Sequence, residues 1–212
     1  MSSKGKKSAG RTRDKWRQKD WYELIAPDYF DNKSVGSTPA SNPDLVIGRT
    51  VTPTLYDLTG DFDQIHVKLR FKVFEVKGKQ AHTTFRGHKW SSDYLRGLVK
   101  RGTSRIDWIG PILTKDDYLM RISVIVFTMT RAKSSHKHAM RKTIEKIIRG
   151  HAKKHSFEEL VQLIVMGELA SEVYEAVKTI IPIRQCNIRK SKVLKGPQEV
   201  KERRERLRRK EE

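Results

Sequence analysis

His151 and His155 stand four residues apart, a spacing that holds zinc when both imidazoles share one face of a helix. His136 and His138 form a second pair, two residues apart. Lys153 and Lys154 lie between His151 and His155, and their charge opposes a bound cation. Gly150 reads as a helix end and Ser156 as the cap of the next helix, which leaves this pair in a loop. A metal-dependent nuclease therefore has little support. Cys186 is the single cysteine, so internal disulfides, a cysteine-built zinc site and an iron–sulfur cluster are excluded. That usage fits a reducing cytosol. Cys186 sits among basic residues with no base assigned to it, and reads as a small buried hydrophobe. Asp116 and Asp117 are adjacent and read as a turn rather than a catalytic pair. No glycine-rich phosphate loop is present, and no cofactor is expected.

The chemistry that the sequence offers in quantity is cationic. Of 212 residues, 45 are Lys or Arg against 25 Asp or Glu, a formal net charge of +20. Residues 1–20 hold eight basic and two acidic side chains, residues 131–154 nine and one, and residues 183–212 twelve and five. The remainder is close to neutral. Charge spread for solubility would be diffuse, whereas charge gathered into two ends and one internal segment is what a polyanion-binding body requires. No apolar run approaches the 18 residues or so of a membrane span. "MSSKGKKSAG" has no apolar segment after its basic residues, as a secretory leader would.

Four groups of residues are candidates for RNA contact. The first is a basic arm of Lys4, Lys6, Lys7, Arg11, Arg13, Lys15, Arg17 and Lys19, rooted by aromatic residues. Trp21 and Tyr22 are expected to pack beneath the body, and Trp16 to stack on an unpaired base. The second is an alternating strand whose polar face is His66, Lys68, Arg70 and Lys72, extended by Arg86, His88 and Lys89. The third and densest is Arg131, Lys133, His136, Lys137, Arg141, Lys142, Lys146 and Arg149. The fourth is Arg184, Arg189, Lys190 and Lys192. Solvated faces usually mix signs, and the second and third groups hardly do.

Positioning these side chains takes both periods of secondary structure. Residues 26–44, rich in Pro, Gly, Ser and Asn, read as an irregular connector, and strand character begins at "LVIGRTVTPTLYDL". Ile65, Val67, Leu69, Phe71 and Val73 alternate with polar residues, so "FDQIHVKLRFKVFEV" is a half-buried strand. "KGK" turns it into a partner with Ala81, Thr83 and Phe85 on one face, forming a hairpin. A short helix capped by Ser91 or Ser92 runs toward Gly102. Strands over "SRIDWIGPIL" and "DYLMRISVIVFTMT" follow, the second apolar on both faces and hence central. From about residue 135 the period becomes helical. Met140, Ile144, Ile147 and Ile148 form one stripe, with Gly150 expected to end the helix. Ser156 and Glu159 match a capping box, and Gly167 separates two further helices. Glu168, Glu172 and Glu175 line the outside of the last one, before a final strand at residues 182–194. The expected organisation is a basic arm (1–20), a single α+β domain (21–195; β-rich 44–130, helical 135–181) and a charged tail (196–212).

In this order, several segments resemble one family. "KDWYELIAP", "GRTV", "YDL", "FRGH", "TKDDYLMR" running into "FTMTR", "RKTIEKII" and "IPIRQCNIRKSKVLK" occur in sequence from about Lys15 to Lys195. The chain resembles the small-ribosomal-subunit protein family shared by archaea and eukaryotes and absent from bacteria, the eukaryotic-type S-one family, formerly S-three-a. The resemblance implies a mostly antiparallel β-barrel-like sheet with helices packed beside it. It also implies a non-enzymatic role on the platform of the small subunit, near the mRNA exit, in contact with ribosomal RNA and neighbouring proteins. Glu168, Glu172 and Glu175 read as a solvated face that avoids RNA or, under this resemblance, as a dock for a basic neighbouring ribosomal protein. The resemblance does not extend to the basic arm or to the residues after Gly196. Composition and pattern alone fit a free RNA-binding processing or chaperone factor equally well.

Overall fold

The computed structural model describes Trp16 and residues 19–198. Its strands are β1 (Asp20–Ile25), β2 (Ser34–Ala40), β3 (Thr50–Val51), β4 (Val67–Lys77), β5 (Gln80–Trp90), β6 (Arg105–Leu113), β7 (Leu119–Thr128) and β8 (Ile183–Lys195). Its helices are α1 (Tyr56–Thr59), α2 (Ser92–Gly97), α3 (Ser134–Lys154), α4 (Phe157–Met166) and α5 (Glu168–Lys178). The class is α+β, as expected.

The strands form one mixed, mostly antiparallel sheet that does not close into a barrel. The β4–β5 hairpin turns at Gly78 and pairs Val67 with Trp90 and Lys77 with Gln80. Along its other edge β5 forks. Residues 80–82 pair in parallel with β1, and residues 87–89 pair antiparallel with β8. From there the sheet runs on through β7 to β6. β8, the last strand among the described residues, is therefore interior to the sheet.

α3, α4 and α5 cover one face. Met140, Ile144 and Ile148 of α3, Leu160 and Val161 of α4, and Val173 and Val177 of α5 join Leu69, Phe71, Ile106, Met120 and Ile122 in a single buried cluster. Each such side chain contributes roughly 1.5–3 kcal/mol on burial. On the other face, α2 covers only Ile125 and Phe127, through Leu95. Among the described residues, Lys68, Lys89 and Lys190 on that face are exposed. β7 is buried on both sides between residues 124 and 128, in agreement with its apolar pattern.

Several local expectations are corrected. The connector at 26–44 contains β2, which hydrogen-bonds to β1 despite its Gly, Ser and Pro. Most of residues 45–58 is not strand: Thr50 and Val51 pair with β4, and Thr54 adds an isolated bridge to Lys68. The long strand starts at Val67, because Asp61 caps a 3-10 turn at Phe62–Gln64 by accepting the Asp63 N–H. α2 ends at Gly97, short of Gly102. α3 runs through Gly150 to Lys154. A helical glycine costs about 1 kcal/mol, and the burial of Ile148 and Ala152 on either side outweighs it. The capping box is present, with Ser156 Oγ accepting from Glu159 N–H and the Glu159 carboxylate accepting from Ser156 N–H.

Candidate nucleic-acid interface

The register of the sheet gathers cations that are far apart in sequence. On β4, Val67, Leu69 and Phe71 point into the core, so Lys68, Arg70 and Lys72 point out. Cross-strand partners share a face. Lys68 pairs with Lys89, Lys89 with Lys190, Lys190 with Ser123, and Ser123 with Ile109. One step along, Arg70 pairs with Gly87, Gly87 with Lys192, Lys192 with Arg121, and Arg121 with Pro111. Two parallel rows cross five strands, a width of about 19 Å at the usual strand spacing. They hold Lys68, Arg70, Lys89, Arg121, Lys190 and Lys192, all exposed, and no acid. Lys72 flanks them, half-buried.

The positive surface continues round the sheet edge. α3 packs against β6, and Arg141 donates through Nε to the Asp107 carbonyl at 3.2 Å. Arg149 and Lys153 share a shallow cleft with Pro111, Leu113 and Lys115, so the second row leads into the cationic side of α3. Lys142 and Lys146 are exposed on the same helix, and Arg149 pairs with Glu145 at 2.6 Å. Arg131 and Lys133 are exposed just before it, whereas Lys137 and His136 are half-buried. His136 Nδ1 is buried without a partner.

Two residues at the β5–β8 seam set this register. Gly87 has φ +148°, and a Cβ there would overlap the Ser191 carbonyl oxygen, so only glycine lets β5 and β8 approach. Beside it, His88 is 3% exposed. This corrects its expected place on the contact surface. Its backbone N–H donates to Ser191 Oγ at 3.1 Å, its Nδ1 lies 2.7 Å from that oxygen, and its Nε2 lies 2.8 Å from the Ile188 carbonyl. A carbonyl only accepts, so Nε2 carries the proton and Nδ1 accepts from the serine hydroxyl. Burial disfavours the imidazolium, outweighing the Ile188 bond, and pushes the pKa down to about 4. The ring is a neutral fastener.

Other candidates are placed differently. Lys4, Lys6, Lys7, Arg11, Arg13, Lys15 and Arg17 lie outside the described residues. Trp16 is 60% exposed, and Lys19 Nζ sits 4.2 Å from its ring centroid. Tyr22 is buried as expected, but Trp21 is 58% exposed because β1 alternates and sends it outward. His66 precedes β4 and stacks on Tyr94, with centroids 4.0 Å apart. Arg184 donates to the Leu98 carbonyl at 3.3 Å, tying β8 to the end of α2. Arg189 is half-buried at a bulge, where β8 holds an extra residue opposite Ser123 and Val124. Arg86 is also half-buried, at a bulge in β5.

Arg121 was missed by the sequence reading, although it is polar at an outward position of an otherwise apolar strand. Glu168, Glu172 and Glu175 are exposed on one face of α5, and Glu172 is engaged by His151 Nε2 at 2.5 Å. His155 pairs with Glu159 at 3.3 Å. His151 is thus helical rather than in a loop, and each histidine faces a carboxylate. Burial pushes the Cys186 thiol up to about 12, leaving no thiolate at neutral pH.

A basic α+β body with an open cationic sheet face defines the class, and comparison with known proteins assigns the family. The family model described as Ribosomal S3Ae matches residues 7–197, and the chain belongs to that family. Among its relatives, "Small ribosomal subunit protein eS1" of Methanobrevibacter smithii is 45% identical over 188 residues, covering 89% of this chain and 97% of that protein. The proteins of the same name from Saccharolobus islandicus and Saccharolobus solfataricus are 44% identical over 198 residues, 93% of each chain.

Proposed function

We propose that this protein is a structural constituent of the small ribosomal subunit and holds ribosomal RNA through the outer face of its sheet. The observation that carries this reading is the pair of acid-free cationic rows, continuous with the basic side of α3. Their charges repel one another in the free protein, and neutralising phosphates removes that repulsion while releasing counterions. The names of the relatives support a ribosomal setting. The resemblance in the sequence favours the platform near the mRNA exit, within a cytoplasmic particle, without catalysis or a cofactor. In this reading, residues 1–20 and 196–212 are arms on one domain, and the acidic face of α5 meets a basic neighbouring protein rather than RNA.

Sedimentation tests it. The chain should travel almost entirely with the small subunit at moderate salt. A chain found mainly free would identify a processing or chaperone factor instead, and an RNA-cleaving activity lost to a chelator would identify a nuclease.

A further inference from the structure

Where β1 and β8 part along the edge of β5, a cleft of 590 Å³ opens. That volume lies within the range of roughly 300–1,000 Å³ typical of small-ligand sites. Its accessible rings are Tyr29, Phe74 and Tyr118, and Phe74 is 54% exposed at the rim. Tyr118 is already stacked on buried Phe157, with centroids 4.2 Å apart, which fixes its plane. Arg86 lines the cleft, and its Nε is buried without an acceptor. Asp28 and Glu158 lie opposite in charge, while Glu75 is paired with Lys77 at 3.3 Å.

The cleft lies beyond one end of the cationic rows. Phe74 is two residues past the flanking Lys72, Thr84 is the cross-strand partner of Lys72, and the backbone of β8 runs from Lys192 in the second row to Val193 in the cleft wall. The two regions differ in chemistry. The rows hold cations without acids and suit phosphates. The cleft sets Asp28, Glu75 and Glu158 against Lys77 and Arg86, is walled by rings and offers one unused N–H donor, so a phosphate is disfavoured inside it. A flat, neutral, hydrogen-bonding group gains stacking and an acceptor for Arg86.

We propose that this cleft receives the base of an unpaired nucleotide whose flanking phosphates lie on the cationic rows. The inference rests on the RNA-binding reading above and adds to it a preference for single-stranded over helical RNA at this place. The base stacks on Phe74 and Tyr29, and a keto or ring-nitrogen acceptor takes the Arg86 N–H.

The test uses the full chain and three RNA probes of about ten nucleotides: a single strand, the same strand with abasic sites, and a duplex. Phe74→Ala is expected to weaken binding to the single strand about 10-fold, in line with the loss of one base stack. The abasic strand and the duplex should be unchanged. Arg86→Met should act in the same direction, and Phe74→Ala guards against a folding defect because its side chain is exposed. Equal losses on all three probes, or none, would overturn the proposal. So would a Phe74→Ala variant altered only in stability, which would mark the cleft as a seat for the chain's own continuation past Pro197. Lys89→Glu with Lys190→Glu separates the two readings. If that pair left every probe bound as before, the RNA-binding reading itself would fail, whereas a failure confined to Phe74 and Arg86 strikes the cleft alone.

Discussion

His88 and Ser191, 103 residues apart in sequence, face each other across the β5–β8 seam and exchange two hydrogen bonds there. The serine hydroxyl donates to Nδ1 and accepts from the His88 backbone N–H. The Nε2 proton goes to the Ile188 carbonyl. The pair faces the core and is buried, yet it sets the register that aligns Lys89 with Lys190 and Gly87 with Lys192.

Acid should loosen this seam. The folded pKa of His88 is about 4 against 6.5 unfolded, so between those values the unfolded chain binds the extra proton. Stability is complete above about pH 6.5 and falls as pH drops toward 4. From pH 7 to pH 5 the loss is about 2 kcal/mol. Denaturant titrations at the two pH values should show it, and His88→Gln should flatten that difference while lowering stability at pH 7.

Gly87→Ala should be far more damaging than an ordinary strand substitution. The new methyl group meets the Ser191 backbone rather than a movable side chain. A loss of about 2–4 kcal/mol is expected, read as a lower urea midpoint. Gly78→Ala, at a turn with nothing within 4 Å, should cost less.

Removing single cations from the rows should reduce RNA affinity without regard to sequence. Each of Lys89→Ala, Lys190→Ala and Arg121→Ala should lower the slope of log affinity against log salt by about 0.7–0.9 where its side chain neutralises one phosphate. His66→Ala, stacked on Tyr94 off the rows, should leave the slope alone. Binding isotherms at several salt concentrations supply the measurement.

Ser156→Ala removes one half of the capping box of α4 and should cost about 1 kcal/mol. Thermal melts at neutral pH are sufficient, and Ser156→Asp should restore most of the loss.

Cys186 should be inert toward a disulfide reagent such as dithionitrobenzoate in the native protein and react fully in denaturant, since its thiol is buried and protonated at neutral pH. Rapid native labelling would show that β8 opens locally.

What the sequence disclosed follows from where the information sits. The hairpin, the central β7, the capping box and the three long helices were legible because each is encoded in a local period or a cap. β1 and β2 were not. β1 alternates over only six residues and β2 carries Gly36 and Pro39, so their strand character comes from pairing with each other and, for β1, with β5. The extent of α3 was misjudged at Gly150, where packing overrides propensity. For the site, sequence located the cations but not their alignment. Rows joining Lys68 to Lys190 and Arg70 to Arg121 depend on a register that only tertiary structure supplies. The same gap hid Arg121, and it placed His88 outside when alternation from Lys89 puts it inside.

Because β8 inserts between β5 and β7, the sheet cannot be assembled in the order in which the ribosome delivers it. While residues beyond 183 are still being synthesised, β5 and β7 each present an unpaired edge, the condition under which nascent chains associate wrongly. Both cationic rows pass through Lys190 or Lys192, so a prematurely released chain lacks the strand that joins its two halves. In the RNA-binding reading, competence to hold a polyanion therefore waits on the synthesis of residues 190–192, and a chain released before them has neither row intact.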